Sequence, residues 1–224
     1  MIEKPQDCDD FLLVFCKQPR LNQGKQRIAA TLGAEKTLDI ASALLNCALE
    51  DASNWEGTVV LSPAAEDEKY WAEGLLPEAR VYVQPQGKLG RRIMDVDQKI
   101  RDQGRQKVII IGTDAPILNR DMYQQALDAL DHSDVVFSSA SDGGVTLMGS
   151  NLPWPDIEGL SWSTEHLGAE LNQACLLADR TISYIPPSYD IDHEVDLDKL
   201  LTDLEFDPRP SRKELKRVIG NVLN

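Results

Sequence analysis

The chain has 224 residues, of which 42% are hydrophobic and 27% charged, with a formal net charge of −14. It is long enough to bury a full core, and no run approaches the roughly 18–20 apolar residues of a membrane span. A surface this acidic repels a polyanion, so duplex nucleic acid is not an expected partner.

The opening Met-Ile-Glu-Lys-Pro-Gln-Asp-Cys-Asp-Asp lacks the basic flank and apolar stretch of a signal peptide, which predicts a cytoplasmic protein. Phe11–Cys16 (FLLVFC) reads as a first buried strand. Ile28–Leu49 then spaces Ile28, Leu32, Leu38, Ala41, Leu45 and Ala48 as one helix face, with a break expected at Gly33. Thr58–Ser62 is a second strand, Glu66–Glu73 a short helix and Arg80–Gln84 a third strand. A helix follows with Leu89, Ile93, Val96 and Ile100 on one side. Lys107–Gly112 (KVIIIG) is apolar throughout, as a central parallel strand should be. Asp121–Leu130 is helical, and Asp134–Ser139 and Val145–Gly149 are strands flanking an Asp-Gly-Gly turn. Thr164–Ala178 is a helix, Thr181–Ile185 a last strand and Ser211–Val222 a terminal helix.

Repeated βα units predict a mostly parallel sheet covered by helices on both faces. No Ser/Gly linker or repeat divides the chain, so residues 1–224 are expected to form one domain, with a core over about 11–200 and a helical tail over 201–224. Cys8, Cys16, Cys47 and Cys175 show no CxxC spacing and read as reduced thiols.

In such sheets ligands bind beyond the carboxyl ends of the strands. Lys17, Arg20, Lys25 and Arg27 fall within eleven residues after the first strand, without an acidic neighbour. Lys17, Lys25 and Arg27 could face phosphate oxygens where this loop enters a helix; the alternative is a solvated basic loop. Asp114, between Gly112-Thr113 and Ala115-Pro116, is either a metal ligand at a sharp turn or the cap of that turn. Asp142 before Gly143-Gly144 reads slightly better as a hairpin residue than as a catalytic one. Asp190 and Asp192 alternate along an extended segment and could share a cation, a weak signal in so acidic a chain.

Taken in order, these pieces resemble the DUF2064 family of glycosyltransferase-like proteins, within the GT-A nucleotide-diphospho-sugar transferase superfamily. The K-x-P-x-x-G-x-x-K-T-R-L pattern of its first loop reads here from Lys17 to Ile28, and G-D-L-G-x-R-L from Gly87 to Ile93. Gly112–Leu118 fits G-T-D-x-P-x-L unchanged. Asp134-Val135-Val136, Asp142-Gly143-Gly144, Leu147-Met148-Gly149, Trp162-Ser163-Thr164 and Asp190-Ile191-Asp192 with Asp196-Leu197 complete the series. Asn22, Gln26, Lys88 and Val145 depart from the usual Gly, Thr, Asp and Tyr.

The resemblance implies a Rossmann-like GT-A α/β/α sandwich that binds a nucleotide or nucleotide-sugar through Mg2+ or Mn2+ and transfers a group to a small-molecule acceptor. It makes Asp114 the first metal ligand, with Asp190 or Asp192 the second. Lys17, Lys25 and Arg27 would face the phosphates, Gly87, Gly90 and Arg92 would lie on the nucleotide side, and Lys25 and Asp142 would take part in catalysis. The same first-loop pattern occurs in guanylyltransferases, so nucleotidyl transfer is the alternative. A nucleotide-binding protein without turnover is a third reading.

Overall fold

The computed structural model describes residues 10–104 and 107–223; Cys8 lies outside them. Its strands are β1 (Asp10–Cys16), β2 (Thr58–Pro63), β3 (Arg80–Val81), β4 (Lys107–Ile111), β5 (Val135–Ala140), β6 (Val145–Ser150) and β7 (Ile182–Ser188). They form one sheet in the order β3-β2-β1-β4-β6-β5-β7. Only β6 pairs antiparallel to its neighbours, and the other pairings are parallel. The carboxyl ends of β1, β4, β5 and β7 therefore share one edge of the sheet.

The helices are α1 (Gln26–Leu32), α2 (Ala34–Ser53), α3 (Lys69–Glu73), α4 (Leu89–Arg101), α5 (Arg120–Ala129), α6 (Leu167–Leu177), α7 (Glu194–Asp203) and α8 (Pro210–Leu223). Strand alternation sorts them into layers. Leu12, Val14 and Cys16 of β1 pack with Leu45 and Ala48 of α2 and Met122 and Ala126 of α5. Phe11 and Leu13 point the other way, towards Ile93, Val96 and Ile100 of α4 and Leu167 and Leu171 of α6. The expected three-layer α/β/α sandwich around a mostly parallel sheet is the observed fold. Among the described residues no helix is long and apolar enough to cross a membrane.

Several boundaries differ from the sequence reading for local reasons. The ladder of β3 stops at Val81, although the amides of Tyr82 and Gln84 still donate to Leu61 and Pro63 carbonyls at 3.0 Å. The α6 helix begins at Leu167 because Ser163 adopts φ 65° and the Thr164 hydroxyl turns back onto the Ser161 carbonyl. The last strand runs on through Pro186 and Pro187, which an edge strand tolerates. Helix α7 was not expected. The Asp196 carboxylate caps it by accepting from the amides of Asp192 and His193 at 2.9 and 2.7 Å.

A third apolar cluster joins α1, α2, α7 and α8 beside the sheet. Its polar anchor is Arg212 of α8, whose side chain is fully buried. The guanidinium donates to the Cys47 carbonyl, to Glu50 and to Asp51 on α2, and to the Pro116 and Leu118 carbonyls after β4. The C-terminal helix thus fastens the turn that carries Asp114. Cys16, Cys47 and Cys175 are buried free thiols; burial pushes Cys16 and Cys47 up to about 12 and keeps them protonated.

Candidate active site

The shared strand edge opens into a cleft of about 370 Å³. Phe15 reaches it from β1, Asp114 from the end of β4, Asp142 and Gly144 from the β5–β6 turn, and Asp190 and Asp192 from the segment after β7. Leu89, Ile93, Met148 and Trp162 supply an apolar wall, and Arg27 stands at the rim. The amide of Ile191 donates to the Asp114 carbonyl at 2.9 Å, so the two acid-bearing segments are tied together by backbone.

Lys25 completes that tie. Its ammonium donates to Asp114 Oδ2 at 2.6 Å, to Asp192 Oδ1 at 3.0 Å and to the Ile191 carbonyl at 2.5 Å. Arg27 holds the other oxygen of Asp192 at 3.1 Å. Burial opposes the charge on Lys25, but Asp114 and then Asp192 outweigh it and raise the ammonium above its ordinary value. Asp192 is the mirror case: burial works against its charge, and Lys25 followed by Arg27 holds the carboxyl below the usual range.

Asp190 makes no ion pair among those of the described residues. Burial, then repulsion from Asp192, Asp114 and Asp142, pushes its carboxyl up to about 6. The cleft thus carries more negative charge than its own cations neutralise. Hard carboxylate oxygens with uncompensated charge suit Mg2+ or Mn2+. Among the described residues no three acidic, His or Cys side chains converge into a ready-made cage. Such a cation would complete its shell with water or phosphate oxygens, as magnesium commonly does.

Asp142 holds the hairpin turn, accepting from the Gly144 amide at 3.0 Å, and its exposed carboxylate also lines the cleft. The other sequence candidates are placed differently. Lys17 is exposed and does not line the cleft, and Arg20 is bound to Gln18 and Asp67. Gly87 lies in the loop before α4, outside the cleft lining. Arg92 donates to Gln84 at 2.8 Å, and Gln84 in turn donates to the Ser62 carbonyl, so this arginine braces β2. Gly90 is a packing residue: a Cβ there would lie 2.1 Å from the Ile157 carbonyl oxygen and 2.6 Å from Trp162 Nε1. It lets α4 slide under the loop that carries Trp162. Sequence spacing did not single out Phe15 or Trp162 as cleft residues, since each reads equally well as core.

A larger recess of about 580 Å³ lies at the opposite strand ends, between α2 and α5. Its three cations are paired within it, Arg120 with Glu56, Lys107 with Asp131 and Arg209 with Asp51. The smaller cleft differs in bringing four carboxylates to the carboxyl ends of the strands.

A family described as "Uncharacterized protein conserved in bacteria (DUF2064)" matches residues 44–164. The crystal structure of a proposed nucleotide-diphospho-sugar transferase from Desulfovibrio desulfuricans G20 is similar at a TM-score of 0.87 and 22% identity, over 97% of each chain. A cytidylyltransferase from Leptospira borgpetersenii serovar Hardjo-bovis gives a TM-score of 0.59 and 12% identity over 96% of this chain and 95% of its own. The 4-diphosphocytidyl-2C-methyl-D-erythritol synthase from Anaerococcus prevotii DSM 20548 gives 0.54 and 11%, over 96% and 97%. No curated protein matches the chain. At these identities the structural likeness establishes the shared fold.

Proposed function

The chain belongs to the DUF2064 family, and on that premise we propose that it is a divalent-metal-dependent, glycosyltransferase-like enzyme that binds a nucleotide or nucleotide-sugar through its diphosphate. The observation that carries this reading is the gathering of Asp114, Asp142, Asp190 and Asp192 around one cleft with Lys25 and Arg27. An acid-rich cleft repels a bare diphosphate and accepts one that arrives with its cation. Asp114 and Asp190 are the residues to hold that cation, because both oxygens of Asp192 are already engaged. When bound, Mg2+ or Mn2+ would neutralise charge developing on the phosphate oxygens. Arg27, at the rim, is placed to donate to those oxygens as a fork. The apolar wall of Leu89, Ile93 and Trp162 offers a face for the remainder of the substrate and limits water in the cleft. Asp142, across the cleft on the hairpin, is the candidate to orient a small-molecule acceptor or take its proton.

Nucleotidyl transfer is the second reading, favoured by the likeness to cytidylyltransferases. Both chemistries place negative charge on the same phosphate oxygens and differ in the bond broken. The protein is to be incubated with nucleoside triphosphates and a panel of nucleotide-sugars, with Mg2+ or Mn2+. Nucleoside diphosphate release from a nucleotide-sugar supports glycosyl transfer, and pyrophosphate release from a triphosphate supports the second reading. Metal-dependent binding without either product makes the chain a nucleotide-binding protein without turnover. Absence of binding overturns the assignment.

A further inference from the structure

The ammonium of Lys25 sits on Asp114, one of the two carboxylates assigned to the divalent cation, and on its neighbour Asp192. Lysine has three N–H donors and no more, and here Asp114, Asp192 and the Ile191 carbonyl take all of them. The side chain is only 12% exposed, against 37% for Asp114 and 38% for Asp192, and it is absent from the cleft wall. In the ligand-free protein Lys25 therefore faces the acids and not the cleft, and its ammonium has to leave Asp114 to meet a phosphate. The same ammonium cannot hold both carboxylates and also serve a phosphate.

The backbone at this point is unusual. Lys25 caps α1 in the left-handed region, at φ 44° and ψ 41°, without a side-chain cap of its own. Asn22 and Gly24 are also left-handed, and residues 21–24 are exposed. A non-glycine residue rarely keeps such a conformation; here the Lys25 carbonyl accepts from the Ala29 amide at 2.9 Å and its side chain is held by the two carboxylates. Arg27 would remain with Asp192 if Lys25 let go.

We infer that Lys25 is a resident counter-ion that makes metal binding conditional on phosphate. In the ligand-free protein its ammonium contests Asp114 with any divalent cation. A phosphate-bearing ligand supplies it with a new anionic partner and frees the carboxylate. The inference rests on the metal-dependent reading of the cleft, goes beyond it, and makes Lys25 a positioning residue whose charge sets the order of binding.

The test is Mn2+ binding to the ligand-free protein, followed by electron paramagnetic resonance, in the wild type and in Lys25→Met, Asp114→Asn and the double variant. Removing the competing ammonium should tighten Mn2+ binding by at least about tenfold, the order expected when one charge–charge contact near a protein surface is lost. Adding Asp114→Asn should abolish the gain. Equal affinity in wild type and Lys25→Met, both tighter than Asp114→Asn, would overturn the counter-ion role and leave the metal reading standing. If no variant differs from Asp114→Asn, there is no cation site at Asp114 and both fall.

A measurement on the wild type alone guards against misfolding of the variant. The Lys25 ammonium resonance in 15N-lysine-labelled protein should be protected from exchange. It should shift on adding Mg2+ with inorganic pyrophosphate but not on adding Mg2+ alone. A resonance unmoved by both additions counts against the inference.

Discussion

Replacing Arg212 by methionine should destabilise the protein far more than an ordinary helix substitution. The guanidinium is fully buried and lies 2.6 Å from Asp51 Oδ2 and 3.1 Å from Glu50 Oε2. It also satisfies the carbonyls of Cys47, Pro116 and Leu118 at 2.6, 3.1 and 3.2 Å. Methionine fills similar volume but takes the closest cation from the buried Asp51, which keeps Arg209 at 3.1 Å and the Tyr123 hydroxyl at 3.0 Å. Asp51 is held partly in check by Arg212, since burial alone drives its carboxyl upward. Breaking one side of a buried pair costs about 3–5 kcal/mol. At about 2–4 °C per kcal/mol for a chain of this size, the melting temperature should fall by about 6–20 °C. Urea unfolding followed by tryptophan fluorescence measures the loss directly. Because part of the penalty comes from the under-compensated Asp51, Asp51→Asn added to Arg212→Met should recover some of the stability, although Asp51→Asn alone should reduce it. A loss under about 1 kcal/mol, or strict additivity of the two substitutions, would refute the argument.

The other expectations concern the cleft. Asp190 binds its proton more tightly in the folded state, with a value of about 6 against an ordinary 3.8. Its contribution to stability is therefore complete below about pH 4 and lost as pH rises through about 6. Asp190→Asn cannot ionise, so it should melt above the wild type at pH 7, with the gap closing towards pH 4; a gap independent of pH would contradict the repulsion argument. Gly90→Ala should shift the loop at Ile157–Trp162, costing about 1–3 kcal/mol and changing Trp162 fluorescence, because its Cβ would meet backbone 2.1 Å away. Unchanged stability and spectrum would show that α4 moves aside instead. Asp114→Asn should lose metal-dependent nucleotide affinity while unfolding within about 1 kcal/mol of wild type, since its ion pair is partly solvated. Retained affinity in that variant removes Asp114 from the site.

What was legible in the sequence follows from the range of the interactions involved. The apolar runs of β1 and β4 and the break at Gly33, which sits at φ 84° between α1 and α2, are local and were readable. So was the exit of Asp114 from a strand, because Gly-Thr-Asp-Ala-Pro leaves the chain few conformations. Helix α7 escaped because acidic residues break up its apolar face and its cap, Asp196, lies inside it. The direction of the Lys25 side chain depends on a left-handed φ that lysine seldom adopts, so spacing suggested a phosphate contact where the structure shows a carboxylate one. Gly90 and Arg92 fall in a motif-like loop, yet their partners, Ile157, Trp162 and Gln84, are set by packing across layers. The Arg212 anchor joins residues more than 90 positions apart, and only tertiary structure brings them together.

The most direct test of the whole account is anomalous diffraction from crystals soaked with MnCl2 and a nucleotide diphosphate or nucleotide-sugar. The account places the manganese peak in coordination contact with Asp114 and Asp190, with phosphate density between it and Arg27. A peak or phosphate in the recess lined by Trp55, Tyr123 and Arg209, with the acidic cleft left to solvent, would contradict it.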